Sequence, residues 1–398
     1  MTTVAIICEY NPFHLGHEYQ IKRIREDFGE DTAIVCIMSG NYTQRGEVAF
    51  MPKGDRAKCA VVSGANLVLE LPFPFSSSSA EYFAKSGVAI ANALGCVDYL
   101  SFGSESGDTA ALCRAAAIYL SDEFRAAFAS ISDKTLGYPA KCEMVYKAVA
   151  GAPEIDFTPN NILAIEYIKA IIESGSNIKP HTVKRLGAAY DSTKIENCTN
   201  QSAAAIREAY LDSSEKSLEH VPSAVAQIIS NCESAGDLPC SVSRISSAII
   251  SKLRLNPAPI DKDFHDAADG LYNRLHSASF ETADVITLLE LSETKNHTRA
   301  RLRRALLNIF FGVTSSDVKM LPRFTQVLAM DGVGMQILKR ARKSELKILT
   351  KPSDYKHFDS AELRQKMLSD NADAIFELTK PIPKHGKSVL TFTPYVKK

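Results

Sequence analysis

The chain has 398 residues, of which 45% are hydrophobic and 23% charged, and its 46 basic residues balance 46 acidic ones. This composition is typical of a globular protein and argues against disorder, and the length suffices for about two or three domains. No run of about 18 uncharged apolar residues occurs, so the sequence predicts no membrane-spanning helix. Met1 to Cys8 is apolar but short and lacks a basic start, so it predicts a buried strand and not a signal peptide.

Apolar runs and helical periods alternate through the first half of the chain. The runs predict strands at 4–8, 32–38, 67–71, 97–102 and 181–185. Helical spacing predicts helices at 16–28, 53–63, 80–93, 109–119 and 160–170, the last capped by Asn160. Strands separated by helices are typical of βαβ units, so we expect an α/β fold with a Rossmann-like, doubly wound parallel sheet.

The pattern changes near residue 215, where strand signals fade and helical periodicity dominates to about residue 350. We therefore predict two domains, an α/β domain over residues 1–215 and a mostly α-helical domain over residues 216–398. The prolines at 381 and 383 exclude a helix there, and residues 388–392 are a candidate closing β segment.

Nine cysteines are scattered along the chain, and none forms a CxxC pair. An odd, scattered set is typical of reduced thiols, so we predict a cytoplasmic protein. The spacing does not resemble a zinc site, and we predict no structural metal.

His14-Leu15-Gly16-His17 follows the first predicted strand and opens the first predicted helix. Ligands of open parallel sheets bind at the carboxyl ends of strands, where a helix start offers free N–H groups and a partial positive charge to phosphates. Gly16 permits close approach of the backbone, and both imidazoles can donate to phosphate oxygens. The segment therefore predicts a phosphate site, although either histidine alone is compatible with a structural role. Zinc is disfavoured, because zinc-binding helices carry i, i+4 histidines.

The segment from 295 to 351 is strongly basic, with 13 Lys or Arg and three acids. Apolar residues such as Leu302 and Leu306 separate the charges, so the pattern predicts amphipathic helices with one basic face. Such a face suits a nucleic-acid backbone, and a merely solvated face is the alternative. The candidate nucleic-acid residues are Arg299, Arg301, Arg303, Arg304, Lys339, Arg340, Arg342 and Lys343. Tyr42 and Phe50 are candidate stacking partners for unpaired bases.

The longer string from Glu9 to His17, EYNPFHLGH, resembles the tRNA(Met) cytidine acetate ligase family within the HxGH nucleotidyltransferase superfamily. Similar segments follow in order at 38–47, 53–58, 69–72, 102–105 and 159–163. The resemblance covers about the first 210 residues and continues more weakly through the helical half.

The resemblance implies an ATP-dependent ligase that activates acetate as acetyl-adenylate and then acetylates N4 of the wobble cytidine of elongator tRNA(Met). ATP is the implied co-substrate, and whether Mg2+ accompanies it is left open. Acetate and tRNA are the implied partners, and we expect no membrane and no stable protein partner.

By the same resemblance, His14 and His17 are the catalytic residues and act on phosphates as cations or donors. The implied nucleotide site comprises Ile7, Cys8, Glu9, Tyr10, Asn11, Pro12, Phe13, His14, Leu15, Gly16, His17, Glu18, Tyr19 and Gln20, together with Gly103, Asn160, Arg185 and Arg207.

Two departures from the family pattern stand out. Ala203-Ala204-Ala205 precede Ile206-Arg207 where Ser or Thr is usual, so we expect no hydroxyl from these positions at the phosphates. Gly54 stands where tryptophan is frequent, and we expect only a local packing change there.

Several residues have structural alternatives. Asn160 can simply cap its helix, Gly103 can be a turn glycine, and Arg185 can form a surface ion pair. Lys53 and Arg56 either approach phosphates or belong to a solvated face.

Two other functions fit part of the pattern. A metabolite adenylyltransferase would explain the HxGH motif but not the basic helical half. A tRNA-binding protein with a degenerate nucleotide site would explain the alanines at 203–205.

Overall fold

An eight-stranded mixed sheet lies at the centre of the computed structural model, which describes residues 1–131, 138–151, 154–186, 201–255, 264–294, 297–387 and 391–398. The strands are β1 (Thr3–Cys8), β2 (Ala33–Ser39), β3 (Leu67–Leu71), β4 (Tyr99–Ser104), β5 (Lys179–Lys184), β6 (Phe324–Met330), β7 (Lys347–Leu349) and β8 (Tyr395–Val396). Their order is β5-β4-β1-β2-β3-β6-β7, with β8 paired to β6. The pairs among β1 to β5 are parallel, and β6 is antiparallel to β3. The predicted Rossmann-like sheet is confirmed.

The described residues form seventeen α-helices, several of which cover the two faces of this sheet. They are α1 (Leu15–Phe28), α2 (Lys53–Val62), α3 (Ala80–Ala93), α4 (Thr109–Leu120), α5 (Asp122–Ser130), α6 (Tyr138–Ala150), α7 (Pro159–Glu173), α8 (Ala203–Asp212), α9 (Ser214–Leu218), α10 (Ser223–Ser234), α11 (Ser246–Leu255), α12 (Leu271–Ala278), α13 (Val285–Ser292), α14 (Arg299–Phe311), α15 (Ser315–Lys319), α16 (Gly332–Arg340) and α17 (Ser360–Phe376). One face of the sheet packs against α3, α4, α7 and α16, and the other against α1, α2, α8 and α10. Helices α11 to α14 share a separate apolar core.

The central strands are buried on both faces, which explains their continuous apolar sequences. Ile7 packs into the core of the α3 face, and its neighbour Ile6 packs into the core of the α1 face. In the parallel register Ile6 lies opposite Cys36. Because all five parallel strands end at the same edge, the loops that follow β1, β2, β4 and β5 meet there.

Strand β6 differs from the expectation for the helical half. It lies at residues predicted to be helical, yet it adds to the edge of the sheet beside β3. The sheet is thus continuous across the proposed boundary at residue 215, and the division into 1–215 and 216–398 stays a prediction about folding units. Of the predicted closing segment, residues 388–390 lie outside the described residues, and the strand that the structure shows is β8.

The C-terminal tail packs on α2 at Gly54. A Cβ placed on Gly54 would lie 3.2 Å from the ring of Phe392. Nearby, the Lys58 ammonium lies 5.4 Å from the Tyr395 ring centroid. The glycine at this position therefore makes room for a ring that the tail supplies.

Two further expectations concern cysteines and membranes. The eight cysteines in the described ranges are free thiols, and Cys198 lies outside those ranges. Among the helices that the structure describes, none combines the length and the apolar character needed to cross a membrane.

A buried ion cluster joins the sheet to the helical half. The Lys53 ammonium on α2 lies 2.7 Å from a Glu70 oxygen on β3 and 2.5 Å from Asp373 on α17. Asn41 donates to the other Asp373 oxygen at 2.8 Å and accepts the Lys53 N–H at 2.8 Å. Burial alone would lower the pKa of Lys53, but the carboxylates of Asp373 and Glu70 raise it above its ordinary value. Lys53 is therefore a structural cation, neither a phosphate ligand nor part of a solvated face.

Replacing Lys53 by methionine should destabilise the fold strongly. The substitution leaves two buried carboxylates without their cation, which typically costs about 3–5 kcal/mol of the free energy of unfolding. Urea unfolding followed by circular dichroism measures the change. Lys22→Met is the control, because the Lys22 side chain is 75% exposed and its pair with Glu26 is weak. Equal effects of both substitutions would contradict the role assigned to the cluster.

Candidate functional site

A cavity of about 420 Å3 opens at the carboxyl ends of β1, β4 and β5. It is bounded by the starts of α1, α7 and α8 and by the loop around residues 43–47. Its volume falls within the range of about 300–1,000 Å3 that is usual for small-molecule sites. The topology thus places the ligand site where open parallel sheets generally have it.

The two histidines of the HxGH motif hold each other at the start of α1. His14 caps the helix, and its Nδ1 accepts the Gly16 N–H at 3.0 Å. His17 Nδ1 accepts the His14 N–H at 3.2 Å, and the two ring centroids are 3.7 Å apart. Because both Nδ1 atoms accept, each neutral ring carries its proton on Nε2. Each histidine therefore has an N–H donor left for a ligand.

Both histidines are neutral in the free protein. Burial lowers the pKa of His14 to about 3, and the nearby Arg185 cation contributes to this shift. Burial also holds the pKa of His17 well below its ordinary range, with smaller contributions from His14 and Arg185. These shifts favour neutral rings in the free protein, and the expectation that the histidines act on phosphates as cations or donors remains a prediction.

The N–H groups at the start of α1 are already engaged. The Leu15 N–H donates to the His220 carbonyl at 3.1 Å, and the His17 N–H donates to the His14 carbonyl at 2.9 Å. The Gly16 N–H donates to His14, as described above. The predicted free N–H groups are thus not found here, and what this helix start offers is its positive dipole end and two imidazoles.

A second helix start faces the same cavity. Ser202 caps α8, and its hydroxyl accepts the Ala205 N–H at 3.0 Å. Ala203 and Ala204 line the cavity. The first N–H groups of a helix have no acceptor within it, and a methyl side chain leaves them accessible. Since Ser202 is committed to the cap, the alanines present backbone donors where the family pattern has hydroxyls.

The end of β4 is joined to the start of α7 through Glu105. Its carboxylate accepts the Asn161 N–H at 3.0 Å, the Asn160 amide at 2.5 Å and the Thr158 hydroxyl at 2.7 Å. Asn161 returns the contact by accepting the Glu105 N–H at 3.0 Å. The helix begins at Pro159 after Thr158, so the prediction that Asn160 caps it is wrong, and Glu105 takes that role. Asn160 is instead held against the cavity wall.

Gly103 lies against the side chain of Arg185. A Cβ on Gly103 would lie 3.3 Å from Arg185 Cγ, closer than most such contacts. Gly103 and Arg185 both line the cavity. The glycine therefore leaves room for the Arg185 side chain at the cavity wall.

Two arginines meet one carboxylate at the rim of the cavity. Arg207 donates to the Asn11 carbonyl at 2.8 Å and to Glu47 at 3.2 Å. Arg303, from α14, binds the other oxygen of Glu47. All three side chains line the cavity.

Most of the predicted nucleotide residues meet in this cavity. Gly103, Asn160, Arg185 and Arg207 line it together with ten residues of the N-terminal stretch, namely Ile7, Cys8, Glu9, Tyr10, Asn11, His14, Gly16, His17, Tyr19 and Gln20. Pro12, Phe13, Leu15 and Glu18 do not line it. Phe13 is a packing residue whose ring contacts Tyr10 and His17.

Sequence analysis missed the contribution of the loop after β2. Gln44, Arg45 and Glu47 line the cavity, and the Gln44 N–H binds the Glu9 carboxylate at 2.7 Å. These residues belong to the segment 38–47 that resembles the family, which was the available signal. Arg56 is fully buried and donates to the Met51 carbonyl at 3.1 Å, so it is structural.

The basic clusters differ in how far their charge is available. In α14, Arg299 pairs with Glu290, Arg301 with Asp269, and Arg304 with Asp266, at 3.6, 3.0 and 3.0 Å. Lys339, Arg340 and Arg342 are exposed, and the side chain of Lys343 lies outside the described residues. A nucleic-acid role for both clusters stays a prediction. Tyr42 and Phe50 are buried, so the prediction that they stack on bases is wrong.

Comparison with known proteins identifies the family. The model of the HIGH Nucleotidyl Transferase family matches residues 1–388. The chain is 35% identical over 385 residues to the tRNA(Met) cytidine acetate ligase of Acetivibrio thermocellus, covering 92% of each chain. It is 34% identical over 365 residues to the enzyme of that name from Thermoanaerobacter sp., covering 89% of this chain and 90% of the other.

Solved structures agree with this. Apo TmcAL of Thermotoga maritima superposes with a TM-score of 0.93 at 29% identity, covering 100% of this chain and 99% of the other. TmcAL of the same organism bound to alpha-thio ATP superposes with a TM-score of 0.92 at 28% identity, covering 100% of both. The chain therefore belongs to the HIGH nucleotidyl transferase family and, within it, to the tRNA(Met) cytidine acetate ligases.

Proposed function

We propose that this protein is an ATP-dependent ligase that acetylates N4 of the wobble cytidine of elongator tRNA(Met), using acetate. The observation that carries this is the convergence of the HxGH histidines, the start of α8 and Arg185 on one cavity. In the first step, an acetate oxygen attacks the α-phosphorus of ATP and pyrophosphate leaves. In the second, the cytidine N4 attacks the acetyl carbonyl, AMP leaves and N4 loses a proton.

The first step asks the protein mainly to position two anions and to stabilise developing charge. Neutral His14 and His17 would donate from Nε2 to phosphate oxygens, and the α8 start would supply backbone N–H groups. The cavity is lined by five cationic and three carboxylate side chains, so it carries an excess of positive charge. The cations are Arg45, Lys184, Arg185, Arg207 and Arg303, and the carboxylates are Glu9, Glu47 and Glu208.

Mg2+ would enter as a companion of ATP. In the part of the chain that the structure describes, no three His, Cys, Asp or Glu side chains converge as a metal site. The cavity residues thus do not form a dedicated cage, which agrees with the habit of Mg2+ to rely on substrate phosphates and water. We assign it no protein ligand.

The tRNA would bind through its phosphates to exposed basic side chains while the wobble base leaves its stack to reach the cavity. Lys339, Arg340 and Arg342 are the best candidates, because they are exposed, whereas Arg299, Arg301, Arg303 and Arg304 have acidic partners. We propose a cytoplasmic location, which a tRNA substrate and the scattered, odd number of cysteines both favour.

One assay separates this function from its alternatives. Purified protein is incubated with radiolabelled acetate, ATP and unmodified elongator tRNA(Met). Label in N4-acetylcytidine supports the ligase. No label, with ATP–pyrophosphate exchange driven by another acceptor, would indicate a metabolite adenylyltransferase. Binding of tRNA without turnover would indicate a degenerate nucleotide site.

His17→Ala should abolish acetate-dependent ATP–pyrophosphate exchange while leaving tRNA affinity nearly unchanged. The loss should be about 100-fold or more, as is usual when one preorganised donor to a developing charge is removed. His357→Ala is the control, because His357 is exposed and lies outside the cavity. Undiminished exchange in His17→Ala would remove His17 from the catalytic residues.

Gly103→Ala should raise the KM for ATP by about tenfold, because its methyl group displaces Arg185. An added methyl group in a packed site costs about 1–3 kcal/mol, and tenfold corresponds to about 1.4 kcal/mol. Steady-state exchange kinetics measure the KM. In the control Gly332→Ala the new Cβ meets no atom within 4 Å. An unchanged KM would show that ATP binding does not depend on a glycine at this position of β4.

Charge reversal of Arg340 and Arg342 together should weaken tRNA binding and reduce the salt dependence of the affinity. Each lost phosphate contact reduces the slope of log K against log salt by about one. Exchange without tRNA should be unaffected. The matched control reverses Arg114 and Arg125, whose side chains are 53% and 63% exposed on α4 and α5. Equal tRNA affinity of both double variants would remove Arg340 and Arg342 from the interface.

A further inference from the structure

Glu47 forms an ion pair with two arginines from different parts of the chain. Arg207 belongs to α8, and Arg303 belongs to α14 in the helical half. Each binds one oxygen of the Glu47 carboxylate. The Glu47 side chain is 28% exposed and both arginines are 25% exposed, so solvent and a ligand can reach the group.

Close packing keeps α14 beside this carboxylate. Gly46 has φ of 72°, and a Cβ there would lie 2.6 Å from Arg303 Cβ and 2.6 Å from the Arg304 nitrogen. The turn itself is closed by hydrogen bonds from Gly46 N–H to the Thr43 carbonyl and from Thr43 N–H to the Glu47 carbonyl, at 3.0 and 2.9 Å. Only glycine permits this contact. The loop and the helix therefore fix the position of Glu47 relative to Arg303.

Arg303 differs from the other arginines of its helix. Arg301 and Arg304 reach acids of the segment before α12, Asp269 and Asp266, away from the cavity. Arg303 points to the rim, where Arg207 and the α8 start also lie. Arg303, which was predicted to bind tRNA, therefore lies among the residues predicted to bind ATP.

We infer that Arg303 binds the polyphosphate of ATP together with Arg207, and that Glu47 holds both arginines until the phosphates replace it. A guanidinium binds carboxylate and phosphate with the same forked geometry, so one anion can take the place of the other. Two guanidinium groups on one carboxylate leave an uncompensated positive charge that favours a polyanion. The inference rests on the proposed function and adds to it a residue supplied by the helical half.

The replacement of the Glu47 carboxylate by phosphate on the two arginines gives Glu47 a defined effect on the affinity for ATP. As an internal competitor it weakens the binding of ATP and of pyrophosphate, and it re-engages the arginines when pyrophosphate leaves. A ligand that must displace an internal anion binds less tightly than it would to the vacant arginines. Removing the charge of Glu47 should therefore have the opposite sign to removing Arg303.

The test compares E47Q and R303A in acetate-dependent ATP–pyrophosphate exchange without tRNA. R303A should raise the KM for ATP about tenfold or more, the usual scale for a lost hydrogen bond to a charged group. E47Q should lower the KM for ATP several-fold and slow the release of pyrophosphate. A merely structural role for either residue would not produce a gain in affinity. Circular dichroism and thermal melting verify that both variants are folded.

Two further variants sharpen the result. R303K keeps the charge but not the forked geometry, so its KM should lie between those of the wild type and R303A. R323A is the matched control, because Arg323 pairs with Asp359 at 3.1 Å outside the cavity and should leave the KM unchanged.

Three outcomes overturn the inference. The first is an unchanged KM for ATP in R303A, even if tRNA binding is weaker. The second is an unchanged KM for ATP in E47Q. The third is a KM for ATP that rises in E47Q as it does in R303A. Wild-type ATP–pyrophosphate exchange is measured first, because its absence would reject the proposed function itself. If the wild type is active and the KM for ATP is the same in the variants, only the role of Arg303 and Glu47 is rejected.

Discussion

Three buried charges hold the helical half against the sheet, and the geometry of the cavity follows from them. Lys53 binds Glu70 of the sheet and Asp373 of α17, while Asn41 ties the same aspartate to the loop after β2. That loop then positions Gln44 on the Glu9 carboxylate and brings Glu47 to the rim. Because a buried charge is tolerated only with its partners in place, the cluster favours one relative placement of its elements.

The electrostatics of the cavity depend on which groups are neutral. His17 Nδ1 accepts the His14 N–H and His14 Nδ1 accepts the Gly16 N–H, and burial lowers the pKa of both rings. The positive field therefore comes mainly from the cationic side chains that line the cavity and from helix dipoles. Neutral donors can hydrogen-bond a phosphate without themselves adding charge to the cavity. In the proposed function, the guanidinium groups would balance the charge of the polyphosphate and the imidazoles would act as directed donors.

Sequence patterns predicted the sheet and the first helix from local periodicity, and the family resemblance pointed to most of the residues that line the cavity. They did not predict β6, which lies in a segment dominated by helical signals and pairs with a strand about 260 residues earlier. They also misplaced the cap of α7. The carboxylate that replaces Asn160 there comes from Glu105, about 55 residues away, and no local pattern reports such a pair.

From its sequence alone, the chain could be assigned an α/β sheet, an HxGH turn between the first strand and the first helix, and membership of one ligase family, since these depend on neighbouring residues. The tertiary structure decided three other features. These are the protonation of the histidines, the burial of Lys53 and Arg56, and the partners of the α14 arginines. Burial and ion pairing depend on which distant groups are brought into contact, and these set both the pKa of a side chain and whether its charge is available. The HxGH motif thus remains the centre of the proposed site, with two histidines of lowered pKa among arginines from four separate segments.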